Sequence, residues 1–257
     1  MYPVLVRIGP LTVHTYGVLV AAGFLFGLAF AVKQAKKEGV PSERIIDIGF
    51  YVLLSAIVGS RLFFVIMNAR HYVKHPLDVL RIWEGGLVFY GGFALAILVA
   101  IFYIRKYRLD YWSIADIFAP SLAIGHAVGR IGCFTAGCCY GMPARVPWAV
   151  TFLHSESIAP TGIPLHPTQL YEAAAEFVNF LILTSLRRHR LFKGQLFWTY
   201  VFLYAVLRFV VEFFRGDEAR GFIIGRFSVS QGISVVAGFV ALMVIIRGMV
   251  RTGESQA

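Results

Sequence analysis

The sequence predicts an all-α polytopic membrane protein, and three observations carry that expectation. Hydrophobic residues make up 58% of the 257 residues and charged residues 15%, where a soluble domain runs near half apolar and about a quarter charged. The apolar residues fall into seven runs of roughly 20, the length that crosses a bilayer core. Lys and Arg gather in short segments between alternate runs, as cytoplasmic loops do. Mean hydropathy is +0.71. A soluble fold of this size could not bury so much apolar surface and would expose association-prone patches. Disorder and a soluble two-domain enzyme are both excluded, and a single integral-membrane domain over 1–257 is expected, because no internal repeat or low-complexity linker interrupts the chain.

The expected spans are roughly 13–32, 45–67, 86–104, 112–135, 169–186, 194–214 and 227–246. The first lies too deep and runs too long for a cleaved signal peptide. The second carries Asp47 and Arg61. The fourth carries Asp116, Pro120, His126 and Arg130 and is expected to break or kink. The fifth opens with Glu172 and Glu176 and has the weakest apolar signal of the seven. The others are uniformly apolar.

Net charge is +10, and its placement sets orientation. With the N-terminus outside, the inside segments 33–44, 105–111, 187–193 and 247–257 hold 13 of the 24 Lys and Arg, and the much longer outside segments hold 8. An N-outside, C-inside topology follows. Cations confined to short interhelical loops also argue against nucleic-acid binding. The remaining three, Arg61, Arg130 and Arg208, lie within spans. An arginine at the bilayer centre costs at least about 2.5–3.5 kcal/mol and faces a polar interior. Three of them toward the outer ends of their helices point to one anionic ligand near the outer leaflet.

The motifs sharpen that expectation. Arg208 and Glu212 are one helical turn apart, with Tyr204 one turn earlier, which makes either a buried ion pair or an anion clamp. His126 and Arg130 repeat the spacing in Gly125-His126-Ala-Val-Gly129-Arg130-Ile-Gly132, where small residues permit close helix approach. Arg130 has the planar fork that suits phosphate. Glu84-Gly85-Gly86-Leu-Val-Phe-Tyr90-Gly91-Gly92 is poor helix and good irregular backbone, tolerated at membrane depth only against protein or a cavity. In His166-Pro-Thr-Gln169-Leu-Tyr171-Glu172 the polar residues either contact a peptide or cap a helix, with Thr168 as the N-cap. Cys133, Cys138 and Cys139 lack the paired spacing of a metal site, so neither metal nor cofactor is expected and the thiols read as small apolar filling.

Taken together, these motifs resemble those of the bacterial prolipoprotein diacylglyceryl transferases, in order and over nearly the whole chain: Tyr16-Gly17, Gly59-Ser-Arg61, the double-glycine stretch around Tyr90, Gly129-Arg130-Ile-Gly132-x-Phe, His166-Pro-Thr-Gln-Leu-Tyr-Glu and Tyr204-x3-Arg208-Phe-Val-Val-Glu212-Phe-Phe-Arg. The resemblance implies a seven-helix enzyme of the bacterial inner membrane, with a periplasmic N-terminus and a cytoplasmic C-terminus. It would move diacylglycerol from phosphatidylglycerol to the lipobox cysteine of a prolipoprotein signal peptide, form a thioether and release glycerol phosphate. A monomer is expected. Position by position, the resemblance implies substrate-binding roles for Tyr16, Arg61, Arg130 and Tyr204, and a role for Arg208 and Glu212 in catalysis. Gly91 and Gly92 fall in the same substrate-binding stretch.

Three positions depart from the family pattern. Tyr90 stands where the family has histidine, Cys133 where it has asparagine, and Cys138 where it has an acid. The reaction needs a thiolate, since a free thiol with pKa near 8.5 is a weak nucleophile. With the histidine replaced, His126 is the expected base and Tyr90 a hydrogen-bond donor. Two rival functions share these residues: a phosphatidylglycerol-using enzyme with another acceptor, and a non-enzymatic anion or anionic-lipid transporter, since buried arginines serve anion passage too.

Overall fold

The computed structural model describes residues 2–9, 11–81, 85–216, 221–224 and 227–254. Glu84 of the double-glycine motif lies outside them. The chain is predominantly helical and divides into two compact units, Val32–Ile114 and the remainder. In chain order, a hairpin of β1 (Val4–Ile8) and β2 (Leu11–His14) leads into α1 (Thr15–Lys37), α2 (Ser42–Met67), the single turn α3 (Ala69–Tyr72) and α4 (Phe89–Lys106). Then come α5 (Tyr111–Ala136), a two-residue pair β3 (Val150–Thr151) and β4 (Pro164–Leu165), α6 (Thr168–Leu186) and α7 (Gln195–Glu212). A last pair, β5 (Phe222–Ile224) and β6 (Phe227–Ser228), precedes α8 (Val229–Glu254). Each strand pair is antiparallel and local.

Among the described residues, six helices are long and apolar enough to cross a membrane: α1, α2, α4, α5, α7 and α8. A long helix also forms over the expected fifth span, but it falls outside that set. α5 runs unbroken from Tyr111 through Pro120 to Ala136, so the expected break does not occur. Many large apolar side chains on the long helices face outward. Phe26 on α1, Phe102 on α4 and Phe239 on α8 are each more than 60% exposed, as side chains that meet lipid must be. The interior combines apolar residues such as Ile45, Ile117, Leu183 and Leu196 with small and polar ones, including Ala31, Ala119, Ala123, Asp116, Gln169, Glu172 and Glu176, all nearly inaccessible.

In the smaller unit, α2 packs along α4. A Cβ on Gly59 would sit 2.6 Å from the Gly91 carbonyl oxygen, and one on Gly92 would sit 2.5 Å from that of Ala56. Gly91 and Gly92 therefore let two backbones touch, the use small residues have in membrane helix pairs. Arg61, also buried, reaches four backbone carbonyls: Nε donates to Val79 (3.0 Å), Nη2 to Asp78 (2.5 Å), and Nη1 to Gly85 (2.9 Å) and Gly86 (3.3 Å). Gly85 and Gly86 have φ of +89° and +71°, a left-handed backbone that glycine adopts without a Cβ penalty. A guanidinium has five N–H donors, so most of Arg61's capacity ties the Asp78, Val79, Gly85 and Gly86 carbonyls to α2.

In the larger unit, α7 packs against both α6 and α8. Asp116 explains its own presence in an apolar run. Its carboxylate accepts from the backbone N–H of Gly194 (2.7 Å) and Phe197 (2.9 Å) and pairs with Arg190 at 3.3 Å. It thereby serves the unpaired N–H groups at the start of α7.

Candidate functional site

α6 has an inverted amphipathic pattern. Its buried face is Thr168, Gln169, Glu172, Ala173, Glu176, Asn179 and Leu183, a helical stripe that is mostly polar. Polar groups on the inner face and apolar ones outside suit a helix with lipid on one side and a polar interior on the other. They also lower the average hydropathy that would mark a span.

Glu172 is the hub. Its Oε2 lies 2.6 Å from Arg130 Nη2 of α5, and its Oε1 lies 3.5 Å from Arg208 Nη1 of α7 and 3.8 Å from Arg215 Nη1 just beyond α7. Glu172 is 1% exposed. Glu212 takes a second share of Arg208, at 2.8 Å, and Ser230 of α8 accepts from Arg208 Nη2 at 3.2 Å. Of the three in-span arginines expected to share one anionic ligand, Arg61 instead binds backbone carbonyls of the smaller unit, and Arg130 and Arg208 meet on a protein carboxylate that helical spacing does not assign to the site. Arg215 joins them, a residue the topology count places in an outer loop. The available signal was the pair Glu172 and Glu176, buried-span acids one turn apart.

His126 sits between charges. Arg130 Nε donates to His126 Nε2 at 3.0 Å, so that nitrogen presents its lone pair and the ring proton is on Nδ1. Nδ1 lies 3.5 Å from Glu176 Oε1. The lone pair that a general base would use is therefore engaged by Arg130. The His126 and Tyr204 rings are 5.4 Å apart, and Tyr200 stacks near Tyr204 at 6.2 Å. Arg130 keeps two further N–H donors on Nη1, and its side chain is 13% exposed.

The rim is laced by backbone. The Gly141 N–H donates to the His166 carbonyl, Met142 to Phe214, His166 to Met142 and Gly216 to Tyr140. These bonds tie the segment after α5 to the start of α6 and the end of α7. Thr168 does not cap α6: Pro167 holds that position, and the Thr168 hydroxyl donates to the Cys139 carbonyl at 2.8 Å. Gln169 Nε2 donates to the Cys138 carbonyl at 2.7 Å. The hydrogen bonds of Cys133 and Cys138, with the Arg215 and Arg130 charges, hold the Cys139 thiol below the usual cysteine range. Hydrogen bonding to Cys133 and Cys139 pushes Cys138 above it.

Tyr16 lies over Gly132 of α5, its Cδ2 3.3 Å from where a Cβ would stand. Tyr90, at the start of α4, is 65% exposed. Tyr90, Arg61, Gly91 and Gly92 belong to the smaller unit, and the remaining expected site residues to the larger one.

A family model for prolipoprotein diacylglyceryl transferase matches residues 3–247. The chain is similar to the phosphatidylglycerol–prolipoprotein diacylglyceryl transferase of Geobacter sulfurreducens, at 35% identity over 90% of this chain and 89% of that protein. It is similar to the Finegoldia magna protein of the same name at 35% identity, covering 93% and 94% of the two chains. The Clostridium tetani protein of that name shares 34% identity over 95% and 96%.

Proposed function

We propose, because this chain belongs to the prolipoprotein diacylglyceryl transferase family, that it transfers the diacylglyceryl group of phosphatidylglycerol to the lipobox cysteine of a prolipoprotein signal peptide. A thioether forms and glycerol phosphate leaves. The observation that carries the reading at the level of residues is the convergence of Arg130, Arg208 and Arg215 on Glu172.

The chemistry follows from that convergence. Breaking the bond from glycerol carbon to phosphate oxygen leaves added negative charge on the phosphate. Preorganised guanidinium groups in a water-poor site stabilise developing charge without reorganising. Arg130 binds the phosphate through Nη1 while Nε and Nη2 stay fixed by His126 and Glu172. Glu212 and Ser230 orient Arg208 in the same way. His126 is a positioning residue here, since its basic nitrogen is engaged. Tyr204 packs against it and shapes the wall, and Tyr16 borders the lipid entry beside Gly132. In the smaller unit, Arg61 holds the Asp78, Val79, Gly85 and Gly86 backbone for a substrate, Gly91 and Gly92 set the helix contact, and Tyr90 offers a hydroxyl to a substrate. Holding lipid and peptide together removes much of the encounter entropy.

The chain works as a monomeric domain of the bacterial inner membrane. α6 crosses along with the six more apolar helices, the N-terminus is periplasmic and the C-terminus cytoplasmic. The ends of α5 and α7 and the start of α6 then lie on the periplasmic side, where secreted lipoproteins emerge. The test is direct: purified chain with phosphatidylglycerol vesicles and a synthetic lipobox peptide should yield a peptide heavier by one diacylglyceryl group, and a serine-for-cysteine peptide none. No thioether product from the cysteine peptide removes the reading.

A further inference from the structure

The family reaction leaves the three cysteines unused, and the helical bases are engaged. The Sγ atoms of Cys133, Cys138 and Cys139 all lie within 4.8 Å of one another, each half-buried. Zinc–thiolate bonds of about 2.3 Å place tetrahedral sulfur ligands about 3.8 Å apart, a closure of about 1 Å that rotation about χ1 supplies. The scaffold is tied by hydrogen bonds. Cys133 ends its helical turn three residues after Arg130, and the Cys138 N–H donates to the Cys133 carbonyl at 3.2 Å. Gln169 and Thr168 pin the next two carbonyls. Cys139 adopts φ +59°, uncommon for a residue with a Cβ and sustained only where the surroundings hold it. Zinc bound by three thiolates carries one net negative charge, complementary to neighbouring Arg130 and Arg215.

We propose that Cys133, Cys138 and Cys139 form a three-thiolate site for one zinc-class ion whose fourth position receives the acceptor peptide's thiol. This rests on the transferase reading for its substrate, though not for the metal. Three protein ligands plus an open position is the pattern of catalytic rather than structural zinc, and a coordinating thiol is deprotonated outright. The acceptor sulfur binds as thiolate and attacks the glycerol carbon that bears the phosphate ester. The C–S bond forms, and the C–O bond breaks with its electron pair on the phosphate oxygen. The proton lost by the thiol ends on the departing glycerol phosphate, and the neutral thioether, a poorer ligand, leaves the metal.

Cadmium titration of the purified full chain, read by the ultraviolet thiolate-to-cadmium charge-transfer band and by metal analysis, tests the site. One cadmium per chain with three thiolates is expected, displaceable by zinc. Adding the lipobox peptide should raise the band by about a third, one thiolate on three, and the serine peptide should leave it unchanged. Cys133→Ser should reduce the band, and the triple serine variant should lose it. No cadmium uptake by the wild-type chain, a measurement that needs no variant to fold, overturns the site. Uptake that survives the triple substitution does the same, and a band indifferent to the peptide thiol overturns the fourth-ligand assignment. Thioether formation is measured separately. A chain that forms thioether without taking up cadmium overturns the metal site; one that takes up cadmium without forming thioether keeps the site and removes the transferase reading.

Discussion

Glu172 faces Arg130, Arg208 and Arg215 from a position with 1% exposure. Removing one partner of a buried ion cluster leaves charge in a medium that solvates it poorly, at about 3–5 kcal/mol. Glu172→Gln should therefore lower the thermal midpoint of the detergent-solubilised chain well below that of a change at an exposed position such as Lys74→Gln. Arg130 is the more specific probe. Arg130→Lys keeps a positive charge but loses the Nε donor to His126 and the planar fork. Loss of one preorganised donor to a developing oxyanion costs about 10²–10³-fold in turnover. Thioether formation should fall by about that factor while membrane insertion and expression persist. Near-full turnover in Arg130→Lys would show that charge alone suffices and that the fork is not what binds phosphate.

At the scale of elements, α2 against α4 and α6 against its neighbours follow opposite rules. The α2–α4 contact is backbone to backbone, with Gly59, Gly91 and Gly92 in place of side chains. Gly92→Val forces a branched side chain against the Ala56 carbonyl, and overpacking of this kind costs about 1–3 kcal/mol. Its thermal midpoint should drop, and Gly92→Ala should drop less. The sequence made the helices of the lipid-facing kind plain, because hydropathy averages over a window and lipid rewards every apolar residue in it. It made α6 the weakest for the same reason, since the helix turns its acids inward. The pairings of Arg208 with Glu212 and of Arg130 with His126 were legible from helical spacing. Glu172's role was not, because its partners come from α5 and the end of α7, far away in sequence. Arg61 shows the limit of the same signal: a charge within a span announces a polar partner, but does not distinguish a ligand from the carbonyls of Asp78, Val79, Gly85 and Gly86.

At the scale of the whole molecule, the distribution of surface is inside-out relative to a water-soluble protein. Phenylalanines and leucines stand outward on the long helices, and ions and amides are enclosed. That pattern fixes a bilayer as the solvent but not which way the chain faces, because the hydrophobic term is the same in either orientation. Orientation comes from the loops. The clusters Lys33–Arg44, Arg105–Arg108 and Arg187–Lys193 carry 11 of the 24 Lys and Arg, and cations near span ends are retained on the cytoplasmic side. The segment 136–168, which leads from the arginine site into α6, carries one, Arg145. Phosphatase fusions after Arg145 should therefore be active and fusions after Lys193 inactive, with fluorescent-protein fusions giving the opposite pattern. The two positions flank α6, so the pair also tests whether that helix crosses at all. Equal signals after Arg145 and Lys193 would mean that α6 returns to its own side with its acids never passing the apolar core, and the site would then have to open on the face where the cations lie.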